Sequence, residues 1–296
     1  MEYIQAKHLL HRSRSTEWFG TDHTMNIYRG CCHGCIYCDS RSTCYQNPDF
    51  DTVKAKGEAL SILRDDLARK VKPAFISMGA MSDPYNPFEG DLLLTRHALE
   101  LIDAYGCGVA VATKSDLIAR DIDLYQLIQS HSPVICKVTV TTADDALAAR
   151  IEPWAPPPSR RLAALKRLSE AGVFSGVLLM PVLPFLEDSE ENVLAVTEAA
   201  ARAGAKFVYG TFGVTMRDGQ RDYFLNALDR SFPDRRLGDR YRSRYGDRYI
   251  CPSPRARELW EAFSRRCREL GLLYEMRHII SAATRGYGDR QLSFFD

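Results

Sequence analysis

The chain has 296 residues, is 45% hydrophobic and 26% charged, and carries a formal net charge of +1. That composition suits an ordinary soluble protein with a large core, built as one α/β domain or one plus an appendage. No stretch approaches the roughly 18 apolar residues of a membrane span, and the opening "MEYIQAKHLLHRSRSTEWFG" lacks the apolar centre of a secretory leader, so the cytoplasm is the expected compartment.

In chain order the first feature is "RGCCHGCIYCDSRSTCYQ" (29–46), which holds five cysteines. Beyond it, the apolar runs "AFISMGA" (74–80), "GVAVATK" (108–114), "VICKVTVTT" (134–142), "SGVLLMPVL" (175–183) and "KFVYGTF" (206–212) predict buried strands rich in β-branched residues. Helical patterns separate them. "TRHALELIDAYG" (95–106) closes on Gly106, "PSRRLAALKRLSEAGV" (158–173) opens on Pro and Ser and closes on Gly172, and "SEENVLAVTEAAARAGA" (189–205) starts like a capping box and stops at Gly204. This alternation predicts parallel βαβ units arranged as a partial (β/α)6 TIM-like barrel, with an open doubly wound sheet as the alternative. In a barrel the chemistry sits where strands end, which singles out Ser82 and Asp83, Lys114, Thr139 and Thr141, and Pro181. A turn or cap at Ser82–Asp83, a surface lysine and β-branched strand filler are the plain alternatives.

Nine cysteines in a reducing compartment point to metal ligation or redox chemistry. Cys31, Cys35 and Cys38 form C-x3-C-x2-C, with no second C-x2-C pair downstream. A closed zinc site takes four ligands, usually from two such pairs. Three thiolates instead hold three corners of a [4Fe–4S] cubane and leave one iron for an exchangeable ligand. The alternative is zinc completed by Cys32, His33 or Cys44, where ligands adjacent in sequence strain a tetrahedron.

The three cysteines, with Tyr37 just before the last, resemble the signature of radical S-adenosylmethionine (radical SAM) enzymes. "NIYRGCCHGCIYC" (26–38), "SDPYNPFE" (82–89), "ATKSDLIARDIDL" (112–124), "VTVTTADD" (138–145), "IEPWAPPPSRRLAALKRLSEAG" (151–172) and "GVLLMPVLP" (176–184) resemble the spore photoproduct lyase-like branch of that superfamily. The resemblance implies a [4Fe–4S] cluster that cleaves SAM to methionine and a 5′-deoxyadenosyl radical, which abstracts hydrogen from a substrate. It implies Cys31, Cys35 and Cys38 as cluster ligands, Ser82 with Asp83 near SAM, and Lys114 at the SAM carboxylate, where a compact cation on a long stem neutralises charge. Thr139 and Thr141 share one strand face and fit hydrogen bonding to SAM; Tyr37 and Glu152 of the "EP" pair are further cofactor candidates.

The sequence departs from the lyase at Ala80, where that enzyme carries a hydrogen-donating cysteine two residues before the serine. Cys32 and Tyr85 are the replacement candidates, and the spare cysteines elsewhere read as core filler. Residues 1–225 are expected to form the barrel, and 226–296 an α-helical C-terminal region. Between Arg230 and Arg277 stand 13 arginines against 7 acids. That region is a phosphate footprint or a set of mixed-charge helix faces such as "RELWEAFSRRCREL". With the resemblance it implies lyase-type repair of a damaged or modified nucleobase in DNA, with Arg235, Arg236, Arg240 and Arg242 gripping phosphates around a flipped nucleotide. A small-molecule, peptide or RNA substrate is the alternative, and a metal-bearing scaffold without radical chemistry a second. The closing Gln291, Leu292, Phe294 and Phe295 resemble the short peptide that bacterial sliding clamps accept, and a reductant such as ferredoxin or flavodoxin is an implied partner.

Overall fold

The computed structural model describes residues 1–70 and 72–287. Six strands lie side by side in sequence order and all parallel: β1 (His23–Met25), β2 (Phe75–Met78), β3 (Gly108–Thr113), β4 (Val134–Thr139), β5 (Ser175–Leu179) and β6 (Phe207–Gly210). The helices α1 (Ala59–Ala68), α2 (Leu94–Ala104), α3 (Ile122–Gln129), α4 (Pro158–Glu170) and α5 (Glu190–Arg202) cross between them. His11–Arg12 adds an antiparallel strand outside β1, and the two edges of the sheet do not pair, so the barrel is partial.

The five predicted strands and three predicted helices are all present, and their ends follow the chemistry expected. The Ser189 side chain accepts from Asn192 N at the start of α5, while Gly106, Gly172 and Gly204 take positive φ just beyond α2, α4 and α5. β1 had no sequence signal, because three residues are too few to display a period.

Outward side chains of the sheet, Val109, Val111, Cys136, Val138, Val177, Leu179 and Val208, are buried under the helices in the main core. Each such aliphatic side chain contributes about 1.5–3 kcal/mol on burial. The inward face meets a second cluster at the floor of the barrel: Phe75, Ala110, Ile135, Leu178 and Phe207 pack against Phe19 and against Ile279 and Ala283 of α9 (Met276–Thr284).

Helices α6 (Gln220–Ser231), α7 (Leu237–Tyr245) and α8 (Ala256–Glu269) precede α9. The C-terminal region is mainly helical but includes a strand pair, Gly213–Thr215 antiparallel to Ile250–Pro252. Residue 225, the expected boundary, falls inside α6. Leu259, Phe263 and Cys267 of α8 belong to the main core, so this helix is part of the barrel's packing. The segment after it covers the free edge of β6: Val208 N donates to Leu273 O at 2.9 Å, and Leu273 N to Lys206 O at 3.1 Å. Among the described residues no helix is long and apolar enough to cross a membrane.

Candidate active site

The strand Tyr28–Arg29 pairs with Lys54–Lys56 and delivers the chain into the cysteine loop. Cys31 N donates to Phe50 O at 2.8 Å, Ile36 N to Ile151 O at 2.9 Å, and Gln220 Nε2 to Tyr37 O at 3.0 Å, so three distant segments fix the loop's backbone. Gly34 has φ +70°, and a Cβ there would lie 2.5 Å from the Trp154 ring. Cys35 is buried; Cys31 and Cys38 are half-buried.

Burial pushes the Cys31 thiol well up, with Asp83 and Cys35 adding to the effect. Burial raises Cys35 to about 12 and also raises Cys38, in both cases against the pull of the Lys114 ammonium. These groups become thiolates only where a metal displaces their protons. Among the described residues no three His, Cys, Asp or Glu side chains gather closely enough for a single metal ion. Three thiols without a fourth, each able to take its own iron, fit the cubane.

The strand tips close on this loop through Asp83. Its Oδ1 accepts from Thr113 Oγ1 at 2.6 Å and Tyr85 N at 2.9 Å; its Oδ2 accepts from Lys114 N at 2.9 Å and faces His33 Nδ1 at 3.4 Å. One carboxylate thereby joins the ends of β2 and β3 to the cysteine loop. Ser82 Oγ donates to Tyr28 O at 2.8 Å, tying the β2 end to the strand that enters the loop. Gly79, also at that end, has φ +91° and passes Ala112 so closely that a Cβ would stand 2.0 Å from its carbonyl oxygen.

Lys114 lies over the Tyr37 ring with Nζ 5.5 Å from the centroid. Burial acts against its ammonium, but Cys35 and Glu152 outweigh that and raise its pKa. Tyr37 donates its hydroxyl to Glu152, and Glu152 Oε2 faces Arg161 Nη2 at 2.5 Å, both side chains fully enclosed. Burial alone would raise the Glu152 carboxyl; the Arg161 guanidinium and Lys114 hold it below the usual carboxylate range. Thr139 and Thr141 are buried beside this group, with Thr139 O accepting from Arg161 Nη1 at 3.1 Å. Among the described residues Thr141 Oγ1 and Glu187 Oε1 complete no well-formed hydrogen bond, and burial pushes the Glu187 carboxyl up to about 8. Cysteine thiols, a cation and unsatisfied polar atoms thus converge at the C-terminal ends of the strands.

Several expectations change. The Tyr85 hydroxyl is spent on Asp121 Oδ2 at 2.9 Å and on Tyr125 at 2.6 Å in the helix-facing core, so it does not face the thiols as a hydrogen donor would. Cys32 is half-buried against that same core. Arg235, Arg236, Arg240 and Arg242 are exposed around α7, but Arg236 pairs with Asp239, and Arg242 with Asp229 and Asp239. Arg235 donates to Phe185 O at 2.7 Å and Arg240 lies over the Phe185 ring at 4.3 Å. Gln291, Leu292, Phe294 and Phe295 lie outside the described residues. Arg161 and Glu187 escaped the sequence reading. Arg161 had a signal, since it falls within the buried stripe Pro158, Arg161, Ala164, Leu165, Leu168 on α4; Glu187, in a loop, had none.

A family model described as the radical SAM superfamily matches residues 25–197. An uncharacterized protein of Mycobacterium tuberculosis H37Rv is 34% identical over 241 residues, spanning 79% of this chain and 70% of the relative. An uncharacterized protein of Methanocaldococcus jannaschii is 32% identical over 176 residues, 58% of this chain and 64% of that one. Solved structures of spore photoproduct lyase share the fold at 16% identity. One, with bound AdoMet and dinucleoside spore photoproduct, has TM-score 0.64 over 90% of this chain and 78% of its own; another reaches 0.67 over 92% and 81%. With the family model spanning the cysteine loop and the strand tips that surround it, the chain belongs to the radical SAM superfamily, whose members use a [4Fe–4S] cluster and S-adenosylmethionine.

Proposed function

We propose that the protein abstracts hydrogen from a damaged or modified nucleobase in DNA and so starts a lyase-type repair reaction. The observation that carries the reading is the fold shared with spore photoproduct lyase over nine-tenths of the chain, including a neighbour bound to a dinucleoside spore photoproduct. Exposed arginines around α7 add support: Arg240 stacks on Phe185, and Tyr241 donates to Pro184 O at 2.9 Å, which sets the basic helix against the loop that follows β5 at the barrel mouth. Arginines so placed suit phosphates flanking an extruded base.

Bound at this site, the cluster and SAM supply a reductively generated carbon radical. Cys31, Cys35 and Cys38 would hold the cluster. Lys114 is oriented by its backbone bond to Asp83 and presents its ammonium for the SAM carboxylate. Asp83 and the Glu152–Arg161 pair hold the strand ends and the loop in one geometry, which would keep a bound cofactor aligned with its substrate. An electron carrier such as ferredoxin or flavodoxin completes the system. A small-molecule, peptide or RNA substrate is the second reading, favoured by exposed Ala80 at the barrel mouth, where the lyase has its donor thiol.

Anaerobically reconstituted protein, with dithionite and oligonucleotides carrying defined lesions, tests the proposal. Loss of one lesion, with deuterium from that base appearing in 5′-deoxyadenosine, is the expected result. SAM turnover indifferent to every lesion, with label entering only from another substrate class, defeats it.

A further inference from the structure

The concave face of the sheet carries a charged side chain with no part in the site described above. On β4 the inward residues are Ile135, Lys137 and Thr139, and the register sets Lys137 between Ala112 of β3 and Gly176 of β5. Lys137 stands two residues before Thr139, about 6–7 Å deeper into the barrel. It is fully buried, its Nζ has no hydrogen-bond partner among the described residues, and the ring of Phe19 lies 4.5 Å from it. Burial pulls its pKa down to about 7, and only the adjacent Cys136 acts in the other direction.

Toward the mouth the concave lining is less closed than the outward face. Ala112, Lys114, Met180, Tyr209 and Thr211 line the concave side toward the mouth and are only half-buried, whereas their outward neighbours Val111, Val138, Leu179 and Val208 are closed off. Lys137 therefore lies on the concave side of the sheet beneath that half-buried lining, itself closed off from solvent, with Lys114 and the cysteine loop nearer the mouth.

An unpaired ammonium in apolar surroundings costs several kcal/mol, and a neutral amine there forgoes its hydrogen bonds. Methionine or leucine would fill the same volume without either cost. We propose that Lys137 anchors the substrate, donating an Nζ hydrogen to a carbonyl or anionic oxygen on the part that reaches deepest into the barrel. Phe19 behind the amine steadies its charged form. Resting on the nucleobase reading, the oxygen is a ring carbonyl of a pyrimidine-type lesion. That carbonyl would enter past Lys114 and Thr139, which brings the ring's neighbouring C–H bonds beside the bound SAM.

The test compares reconstituted wild-type protein with Lys137→Met and Lys137→Leu, using an oligothymidylate with one ultraviolet photoproduct as the probe. Both variants are expected to keep the wild-type iron content, to melt a few degrees higher because an unpaired amine is gone, and to bind the probe about tenfold or more weakly. Melting below wild type in both variants, or probe binding within about twofold of wild type, overturns the proposal. Should wild-type protein fail to distinguish the photoproduct from undamaged oligothymidylate, the nucleobase reading fails by itself. Lys137 is then decided by the melting comparison: a rise keeps the anchor for another oxygen-bearing substrate, and a fall ends it.

Discussion

Replacing Arg161 with methionine removes the partner that keeps Glu152 charged inside the protein. Arg161 is fully buried; it faces Glu152 at 2.5 Å and donates to Thr139 O at 3.1 Å and Pro156 O at 2.5 Å. Methionine leaves the carboxylate with Tyr37 and the more distant Lys114. Losing one member of a buried ion pair costs about 3–5 kcal/mol, and the two backbone bonds add about 1 kcal/mol each. A chain of this size then melts about 10–20 °C lower. The sign with pH follows from Glu152, whose pKa in the folded protein is depressed. Its contribution is complete above the unfolded glutamate range and is lost as pH falls through the folded value; in the variant that acid-side loss shrinks. Thermal unfolding across pH 4 to 8 measures both effects, and Glu152→Gln added to Arg161→Met should restore part of the lost stability by removing the orphaned charge. A loss below about 1 kcal/mol, or no recovery in the double variant, refutes the buried-pair argument.

Three further outcomes follow from the same geometry. Lys114→Met should weaken binding of S-adenosylhomocysteine to the reconstituted protein by about 10- to 150-fold, the worth of one charge-assisted hydrogen bond, as read by calorimetry; unchanged affinity removes Lys114 from the carboxylate. Gly79→Ala places a methyl 2.0 Å from Ala112 O at a positive φ, so it should yield insoluble or markedly less stable protein, whereas a normal melting curve would mean the β2–β3 approach relaxes freely. Arg235→Gln with Arg240→Gln should lower the slope of log affinity for DNA against log salt by about 2, and an unaltered slope puts the phosphates elsewhere.

Five of the six parallel strands were readable because each is an apolar run of four to six residues, and three of the helices between them end near a glycine; both the pattern and the caps are local. The spacing of Cys31, Cys35 and Cys38 puts them in one loop, where the structure has them, and their role as cluster ligands belongs to the proposed function. Tyr85 misled because its position after the "SDP" turn says nothing about which side of the sheet its ring takes; in the fold its hydroxyl meets Asp121 and Tyr125 among the helices. Lys137 and Glu187 were invisible for a related reason. A single polar residue within an apolar strand or in a loop has no period, and only tertiary packing reveals that neither finds an ion-pair partner among the described residues. Ser82 lies four residues beyond the end of β2, and its hydroxyl is committed to Tyr28 O, a bond between segments 54 residues apart in sequence.

The backbone bonds that Leu273 makes along β6 carry an architectural consequence. A truncation that ends after the last barrel strand would strip a row of amide and carbonyl groups bare, and such a ribbon edge recruits a stranger's strand as readily as its own. The basic region is accordingly no detachable module. Grafting it onto another scaffold, or trimming it to study the catalytic half, should give sticky, aggregating material rather than a working fragment.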